Sequence, residues 1–340
     1  MIRFTNDYSE GCHPSILEAL AATNTEGNPG YSTDPHTEHA RQMIRKAVGR
    51  PDADVHLLVG GTQTNATAIA AFLRPYEAVI AAASAHICVH ETGAIEATGH
   101  KCIVCPAADG KLTADAVRAA AAAHTDEHMV KPRMVYVSQT TEIGTLYTLA
   151  ELQSLRQVCD QLGLWLYLDG ARLASGLAAG GPTLEELGRL CDAFYIGGTK
   201  NGALFGEALV LLNDALKPDF RYNIKQRGGM LAKGWLLGIQ FEQLMQGDRY
   251  VQLAAHANAM ALKLKAGIAA LGYPFACDSV TNQQFPILPD GVVEALKPDF
   301  GFEFSSKPDA GHTCIRLVTS WATPEENVDA FLKALAALTK

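Results

Sequence analysis

The sequence lacks the features that mark membrane, secreted and nucleic-acid-binding proteins. It contains no run of roughly eighteen apolar residues, and its start, MIRFTNDYSEG, has no basic segment followed by an apolar one. The formal net charge is −8, and no run of Lys or Arg offers the positive patch that a polyanion needs. We therefore expect a cytoplasmic protein that acts on a small molecule, with neither a nucleic-acid nor a membrane partner.

The sequence also lacks a cysteine or histidine pattern for disulfides or metal. Eight cysteines are scattered along the chain without a secretory signal, which favours reduced thiols. Cys102 and Cys105 form a lone C-x-x-C, and we interpret them as buried residues of a strand. His86 and His90 would share one face of a helix, but no H-E-x-x-H motif accompanies them, so we predict no metal site.

Short apolar runs alternate with longer amphipathic runs, which is typical of βα units. This pattern predicts an α/β fold with a mostly parallel central sheet flanked by helices. The runs that we expect to form strands are rich in β-branched and aromatic residues. They are residues 55–61, 77–83, 134–139, 164–170, 192–198 and 206–212.

The length of the chain indicates more than one domain. A single core stops growing at about 250–300 residues, and this chain has 340. Beyond residue 212 long helical patterns replace the alternation, followed by the late strand candidates NQQFPIL and HTCIRLVTS. We predict a large domain over residues 1–233 and a smaller C-terminal α+β domain over residues 234–340.

Two helices carry capping signals at their N-termini. Thr148 and Glu151 predict a capping box at the start of a helix that Gly163 ends. Thr323 and Pro324 predict the N-terminal cap of the last helix, which would then dock on the protein through an apolar stripe.

One strand-to-helix turn could bind a phosphate. The segment VHLLVGGTQTNATAIAAFL leaves an apolar strand through Gly60 and Gly61 and enters a helix near Thr62. Backbone N–H groups and the helix dipole attract an anion at such a point, and Thr62 and Thr64 add hydroxyl groups. A nucleotide is disfavoured because neither G-K-[ST] nor G-x-G-x-x-G is present. An ordinary tight turn is the alternative.

An acid, an arginine and an isolated lysine follow other strands. Asp169 comes directly after an apolar strand, with Arg172 three residues further on, where ligands of open α/β sheets bind. The acid could hold a protonated ring nitrogen, and a local Asp–Arg ion pair is the alternative. Lys200 lies in GGTKNG, and Asp192 and Glu207 are its closest charged neighbours in sequence. A partly desolvated lysine loses its charge readily and can form a Schiff base.

A phosphate cradle, an acid for a pyridinium nitrogen and an amine-donating lysine together describe a pyridoxal phosphate site. The flat imidazole of His86 would stack on the ring of such a cofactor. We predict a pyridoxal phosphate site because the phosphate cradle, the acid and the lysine all occur, and occur in this order along the chain.

The sequence resembles the threonine aldolase family, within the fold-type-I pyridoxal phosphate enzymes that also include aromatic amino acid β-eliminating lyases. The resemblance covers nearly the whole chain through NDYSEG, PGYSTD, GGTQTN, AHICVHETGAIEATGHK, SQTTEIGTLY, YLDGAR, GGTKNG, KQRGG and IRLVTSWAT. It implies a carbon–carbon lyase that cleaves L-threonine, L-allo-threonine and related β-hydroxy-α-amino acids to glycine and an aldehyde. It also implies a homo-oligomer, a dimer or tetramer, with the active site at the subunit interface.

The resemblance implies roles for single residues. Lys200 would hold the cofactor, Asp169 would pair with its ring nitrogen, and Lys225 and Arg227 would reach its phosphate from a neighbouring subunit. All residues implied to bind the cofactor are Gly61, Thr62, His86, Asp169, Arg172, Lys200, Lys225 and Arg227. Those implied to bind the substrate are Ser9, Tyr31, Arg172 and Arg316.

One departure from the family leaves the catalytic base open. Many threonine aldolases carry His-Asn-Gly where this chain has Glu142-Ile143-Gly144. His86 is the first candidate for the base, directly or through water, followed by Glu142 and His90. A phenylserine-type aldolase and a β-eliminating lyase would use the same site. A cofactor-free lysine aldolase and a non-catalytic binding protein on the same fold are the alternatives of other classes.

Overall fold

The computed structural model describes residues 1–339, which build an α/β fold around a seven-stranded sheet. The strands are β1 Ile2–Arg3, β2 Asp54–Leu58, β3 Glu77–Ala82, β4 Cys102–Cys105, β5 Lys131–Ser138, β6 Trp165–Asp169, β7 Ala193–Gly197, β8 Glu207–Leu211, β9 Gln283–Gln284, β10 Ile287–Pro289, β11 Phe300–Gly301, β12 Glu303–Asp309 and β13 His312–Val318.

The α-helices cover both faces of this sheet and build much of the C-terminal part. They are α1 Pro14–Ala22, α2 Pro35–Val48, α3 Gly61–Phe72, α4 His86–Val89, α5 Ala114–Ala122, α6 Leu149–Leu162, α7 Leu173–Ala178, α8 Leu184–Leu190, α9 Phe220–Gln226, α10 Trp235–Leu244, α11 Arg249–Ala270, α12 Asp290–Leu296 and α13 Glu325–Leu338. None of the helices within residues 1–339 combines the length and the apolar content needed to cross a membrane.

The central sheet has the strand order β2-β8-β7-β6-β5-β3-β4. Its strands are parallel except for β8, which pairs antiparallel with both β2 and β7. Only residues 198–206 join β7 to β8, and a connection without a crossover helix returns the chain in the opposite direction. The predicted mostly parallel sheet is confirmed, as are all six expected strands. Cys102 and Cys105 lie buried in β4, as the sequence indicated.

The capping prediction was right for α6 and wrong for α13. Thr148 and Glu151 form the capping box of α6, and Gly163 ends it in the left-handed conformation with φ 65°. The N-cap of α13 is Pro324, which offers no side-chain hydrogen bond. Thr323 lies one residue before the N-cap. Its hydroxyl accepts a hydrogen bond from the Ser320 N–H at 2.7 Å.

Two separate apolar cores hold the chain together. The larger surrounds the central sheet and includes Leu237 and Phe241 of α10. The smaller is built mainly from α11, α13 and the C-terminal strands, and Phe4 from the N-terminal segment joins it. The N-terminal segment therefore packs on the C-terminal part before it reaches the large core. The domain division at residue 234 stays a prediction.

The parallel strands end along one edge of the sheet. Asp169 closes β6 and Gly197 closes β7, while Ser138 closes β5 on the far side of β6. Residues that follow these strands are therefore brought together although they are far apart in sequence. In open α/β sheets this edge is where ligands bind.

Candidate active site

A cavity of about 300 Å³ lies at this edge of the central sheet. Predicted site residues that line it are Gly61, Thr62, His86, Glu142, Asp169, Arg172 and Lys200. Asp169 closes β6, Arg172 and Lys200 follow β6 and β7, and the other pair, Gly61 and Thr62, open α3. The structure therefore brings these predicted residues together in one cavity.

The start of α3 has the free N–H groups that an anion cradle requires. Gly60 is the N-cap of the helix and has no side chain to accept a hydrogen bond, so the first N–H groups of α3 remain available to a ligand. A Cβ at Gly61 would lie 3.1 Å from the Tyr195 hydroxyl, which leaves little room for a side chain. Thr64 does not add the expected donor, because its hydroxyl donates to the Gly60 carbonyl at 2.9 Å.

The Asp169 carboxylate is buried and receives four hydrogen bonds. Tyr136 and Asn65 donate to Oδ2, and Tyr195 and the Ala171 N–H donate to Oδ1. Burial and the Asp169 charge raise the pKa of both tyrosines well above the usual value, so they remain donors. Both carboxylate oxygens are thus held in one orientation at the wall of the cavity.

The chain can approach so closely here because residue 170 is glycine. A Cβ at Gly170 would lie 1.7 Å from the Tyr195 carbonyl oxygen. Any side chain at this position would push β6 away from β7 and displace Asp169 from the Tyr195 hydroxyl. The glycine of the YLDGAR motif thus has a packing reason.

The His86 ring is oriented by a buried glutamate. His86 Nδ1 lies 2.7 Å from Glu91 Oε1, and the Glu91 side chain is fully buried. Asn65 Nδ2 donates to both Glu91, at 2.8 Å, and Asp169, at 3.0 Å. Because a carboxylate only accepts, this network assigns the proton of neutral imidazole to Nδ1 and leaves Nε2 as an acceptor. His86 and Asp169 are therefore connected through Glu91 and Asn65, neither of which the sequence analysis assigned to the site.

The other two candidates for the base lie nearby in different settings. Glu142 Oε1 accepts hydrogen bonds from the His86 backbone N–H at 3.0 Å and from Ser138 Oγ at 2.7 Å. Burial raises the pKa of Glu142. His90 is exposed, with its ring centroid 5.5 Å from that of His86, and it is outside the lining of the cavity.

Arg172 forms an ion pair, but not with the acid that the sequence suggested. Its Nε and Nη2 donate to Asp7 at 2.8 and 3.1 Å, and Asp7 also accepts from Asn282 Nδ2 at 2.9 Å. Asp169 is occupied by its own donors. The pair leaves Arg172 Nη1 available for an anion. Asp7 stands in the quoted NDYSEG motif, so its position was visible in the sequence but its partner was not.

Several residues expected at the substrate lie outside the cavity. Ser9 is exposed and donates to Asn6 Oδ1 at 2.9 Å, which holds it in a local turn, while Tyr8 lines the cavity instead. Arg316 Nη2 reaches the Thr5 carbonyl at 3.4 Å. Burial and the Arg172 charge lower the pKa of Arg316.

Lys225 and Arg227, which were predicted to act across a subunit interface, and Tyr31, which was predicted to bind the substrate, line other pockets. Lys225 Nζ lies 4.6 Å from the centre of the Tyr31 ring, in a surface pocket separate from the cavity. Arg227 lines a third pocket, on the outer side of α3 next to Thr62. Within one chain none of the three reaches the cavity.

Lys200 lies at the base of the cavity in the loop between β7 and β8. The N–H groups of Gly198 and Thr199 both donate to the Gly206 carbonyl, at 2.9 and 3.1 Å, which closes the loop. Burial and the Arg172 charge lower the pKa of Lys200. A larger fraction of this amine is therefore uncharged near neutral pH than of an exposed lysine.

Comparison with known proteins identifies the family. The model of the beta-eliminating lyase family matches residues 5–289. The chain belongs to this family. A low specificity L-threonine aldolase of Pseudomonas aeruginosa is 33% identical over 333 residues, which cover 96% of this chain and 94% of that protein. A second, from a Pseudomonas species, is 32% identical with the same coverage.

Solved structures agree with the family assignment. The structure described as threonine aldolase of Leishmania major is 49% identical, covers 100% of both chains and superposes with a TM-score of 0.99. A Thermus thermophilus aspartate aminotransferase superposes with a TM-score of 0.75 at 18% identity, over 99% of this chain and 91% of that one, and shows the shared fold alone. The predicted fold type I is confirmed.

The family makes the protein a lyase and makes pyridoxal phosphate its cofactor, as the sequence predicted. The residues at the cavity fit this group. An uncapped helix N-terminus suits a phosphate, the buried Asp169 carboxylate would pair with a protonated ring nitrogen, and Lys200 offers an amine of lowered pKa.

The buried pair of Asp7 and Arg172 should be worth more to stability than a surface pair. Removing one partner of a buried pair costs about 3–5 kcal/mol, so Asp7→Asn should lower the free energy of unfolding by that amount. Asp52→Asn is the control, because Asp52 pairs with Arg50 at 2.6 Å but is 53% exposed and should cost below ~1 kcal/mol. Urea unfolding at pH 7 measures both.

The stabilisation by the Asp7–Arg172 pair should depend on pH and should be lost in acid. Burial by itself would raise the pKa of Asp7, but the Arg172 and Lys200 charges outweigh it and the pKa lies below its usual value. The pair therefore stabilises the protein above pH ~3.9, the value for unfolded Asp, and the effect is lost as pH falls through the lower folded pKa. Equal stability of Asp7→Asn and wild type at pH 7 would contradict the assignment.

Proposed function

We propose that this protein is a pyridoxal-phosphate-dependent aldolase that cleaves L-threonine, L-allo-threonine and related β-hydroxy-α-amino acids to glycine and an aldehyde. The names of its relatives support this reaction. The observation that carries it is the oriented imidazole of His86, whose Nδ1 is held by Glu91 and whose Nε2 is left to accept a proton beside Lys200 and Asp169.

Each part of the cofactor has a group in the cavity to meet it. Lys200 would hold it covalently, Asp169 would pair with the ring nitrogen, and His86 would stack on the ring. The N–H groups of Gly61 and Thr62 would bind the phosphate. When bound, pyridoxal phosphate accepts the electron pair that is released as the Cα–Cβ bond breaks.

Two arginines would orient the substrate through its carboxylate. Arg172 Nη1 remains available in the cavity that Lys200 lines, and Arg316, outside the cavity lining, has a buried Nε without a partner. The planar fork of arginine matches a carboxylate in two hydrogen bonds. Binding the carboxylate on this side would direct the β-hydroxyl group of the substrate toward the His86 ring.

The proton of that hydroxyl group would move to His86 Nε2. Glu91 stabilises the imidazolium that results, because its carboxylate already accepts the Nδ1 proton at 2.7 Å. Glu142 is the second candidate, since it lines the same cavity and burial raises its pKa. Bond cleavage then leaves the aldehyde oxygen where the hydroxyl stood.

A second subunit would complete the site. Tyr222 is 77% exposed beside the outward-facing Tyr31 and Lys225, which is an unusual position for a large aromatic side chain on a monomer. We propose a homo-oligomer, a dimer or tetramer, in which Lys225 and Arg227 approach the cofactor phosphate of the neighbouring chain and Tyr31 approaches the substrate. The eight free cysteines support a cytoplasmic location.

The products identify the reaction. Purified protein loaded with pyridoxal phosphate should convert L-threonine or L-allo-threonine to glycine and acetaldehyde, and Lys200→Ala should lose this activity. Ammonia with a keto acid would contradict the aldolase and indicate elimination. If both substrates are inert and phenylserine is cleaved, the protein is an aldolase of the phenylserine type.

The role of His86 can be tested through its partner. Glu91→Gln preserves the shape of the side chain but removes the charge that stabilises imidazolium. We expect kcat to fall by roughly 10- to 100-fold, with KM almost unchanged because the arginines are intact. Steady-state kinetics with the better of the two threonine isomers measures this.

Glu96→Gln is the matched control, because Glu96 lies in the same segment but is exposed. It should retain wild-type kinetics. Full turnover of Glu91→Gln would show that the charge on Glu91 does not assist the reaction. Full turnover of a cofactor-loaded His86→Ala variant would remove His86 as the base.

A further inference from the structure

The cavity contains a buried carboxylate that the proposed reaction has not yet used. Glu207 is 4% exposed and lines the same cavity as Lys200. A buried carboxylate without a structural ion pair is costly to maintain. The burial of the Glu207 carboxylate in the cavity that Lys200 lines therefore needs a physical explanation.

The hairpin that carries Lys200 also places Glu207. Glu207 opens β8 and pairs across the sheet with Gly197, the last residue of β7. Residues 198–206 leave and return between these two positions. Glu207 Oε2 accepts a hydrogen bond from the Gly198 N–H at 3.1 Å, two residues before Lys200. The carboxylate is therefore fixed to the same turn that fixes the lysine.

The two groups affect each other's protonation. Burial raises the pKa of Glu207 to about 8, and Asp169 adds to the rise, while the Thr199 hydroxyl, the Lys200 charge and the Gly198 N–H act in the opposite direction. Burial and Arg172 lower the pKa of Lys200, which the carboxylates of Asp7, Asp169 and Glu207 oppose. Two neighbouring groups whose pKa values converge exchange a proton readily, and they titrate as a pair.

Other titratable groups around Glu207 cannot replace it in this exchange. Burial raises the pKa of the Tyr167, Tyr195 and Tyr250 hydroxyls, and the negative charge of Glu207 adds to each rise. They stay protonated when Lys200 changes its charge. Asp169 is fully occupied by four donors.

We propose that Glu207 is a positioning residue for the proton of Lys200, taking it up when the lysine must be a neutral amine and returning it when the lysine is released. This inference rests on the proposed function. In the first direction an N–H bond of the Lys200 ammonium breaks and an O–H bond forms on Glu207, and the second direction reverses both. No ion pair within 4.0 Å joins the two groups in the described chain, so in this proposal the proton would pass between them through water in the cavity that both groups line.

A purely structural role is the alternative, in which Glu207 only accepts the Gly198 N–H hydrogen bond and closes the loop. Glu207→Gln separates the two roles, because the amide oxygen still accepts that bond but the side chain no longer exchanges a proton. Glu77→Gln is the matched control. Glu77 is also buried, opens β3 and accepts the Arg74 N–H at 2.9 Å, but it lies outside the cavity.

The test uses full-length protein loaded with pyridoxal phosphate, without substrate. The absorption of the cofactor depends on the proton at Lys200 Nζ, and it is recorded between roughly pH 6 and pH 10. We expect the midpoint of Glu207→Gln to fall by ~1 pH unit, because the carboxylate that favours the protonated nitrogen is gone. The midpoint of Glu77→Gln should equal that of wild type. With substrate, kcat of Glu207→Gln should fall about 10-fold at unchanged KM.

An unchanged midpoint in Glu207→Gln would overturn the proposal and leave only the structural role. If this variant does not fold or load, Glu207→Asp decides, because it retains the carboxylate. Glu207→Asp should titrate within about 0.3 pH units of wild type, and a midpoint lower by ~1 unit would again overturn the proposal. The titration needs no substrate, so wild type that titrates as expected but forms no glycine would contradict the aldolase alone.

Discussion

The buried carboxylate of Asp169 is the interaction on which the rest of the site depends. A charge at this depth is costly unless donors surround it, and the structure supplies them from three directions. Tyr136 comes from β5, Tyr195 from β7 and Asn65 from α3. Satisfying one carboxylate therefore fixes two neighbouring strands and the helix whose N-terminus faces the cavity. Asn65 extends the network to Glu91 and from there to His86.

A second constraint joins the N-terminal segment to both cores. Phe4 packs in the smaller core, while Asp7 bonds Arg172 on one side and Asn282 on the other. The guanidinium group that would meet the substrate carboxylate is thus held where the N-terminal segment, the central sheet and the C-terminal part meet. A change in the packing of the C-terminal part would reach Arg172 directly through Asp7.

The sequence predicted the parts of the structure that depend on local pattern. Buried parallel strands read as continuous apolar runs, and Lys200, Asp169 and Gly61 stood out because they follow such runs. Asn65, Glu91 and Glu207 were missed as site residues, since their meaning depends on contacts between distant segments. Asn65, for example, lies mid-helix and meets Asp169 across 104 residues of sequence. The sequence pattern of one chain also cannot predict the positions of Lys225, Arg227 and Tyr31 relative to the cavity, because the contacts proposed for these residues are with another subunit.

The central claim is that this cavity holds pyridoxal phosphate through Lys200, and one measurement tests it most directly. Protein loaded with the cofactor is reduced with borohydride, digested and analysed by mass spectrometry. We expect the phosphopyridoxyl group on the peptide that contains Lys200, and on no other lysine. Modification of a different lysine, or an unmodified Lys200 in protein that retains its cofactor absorption, would contradict the account.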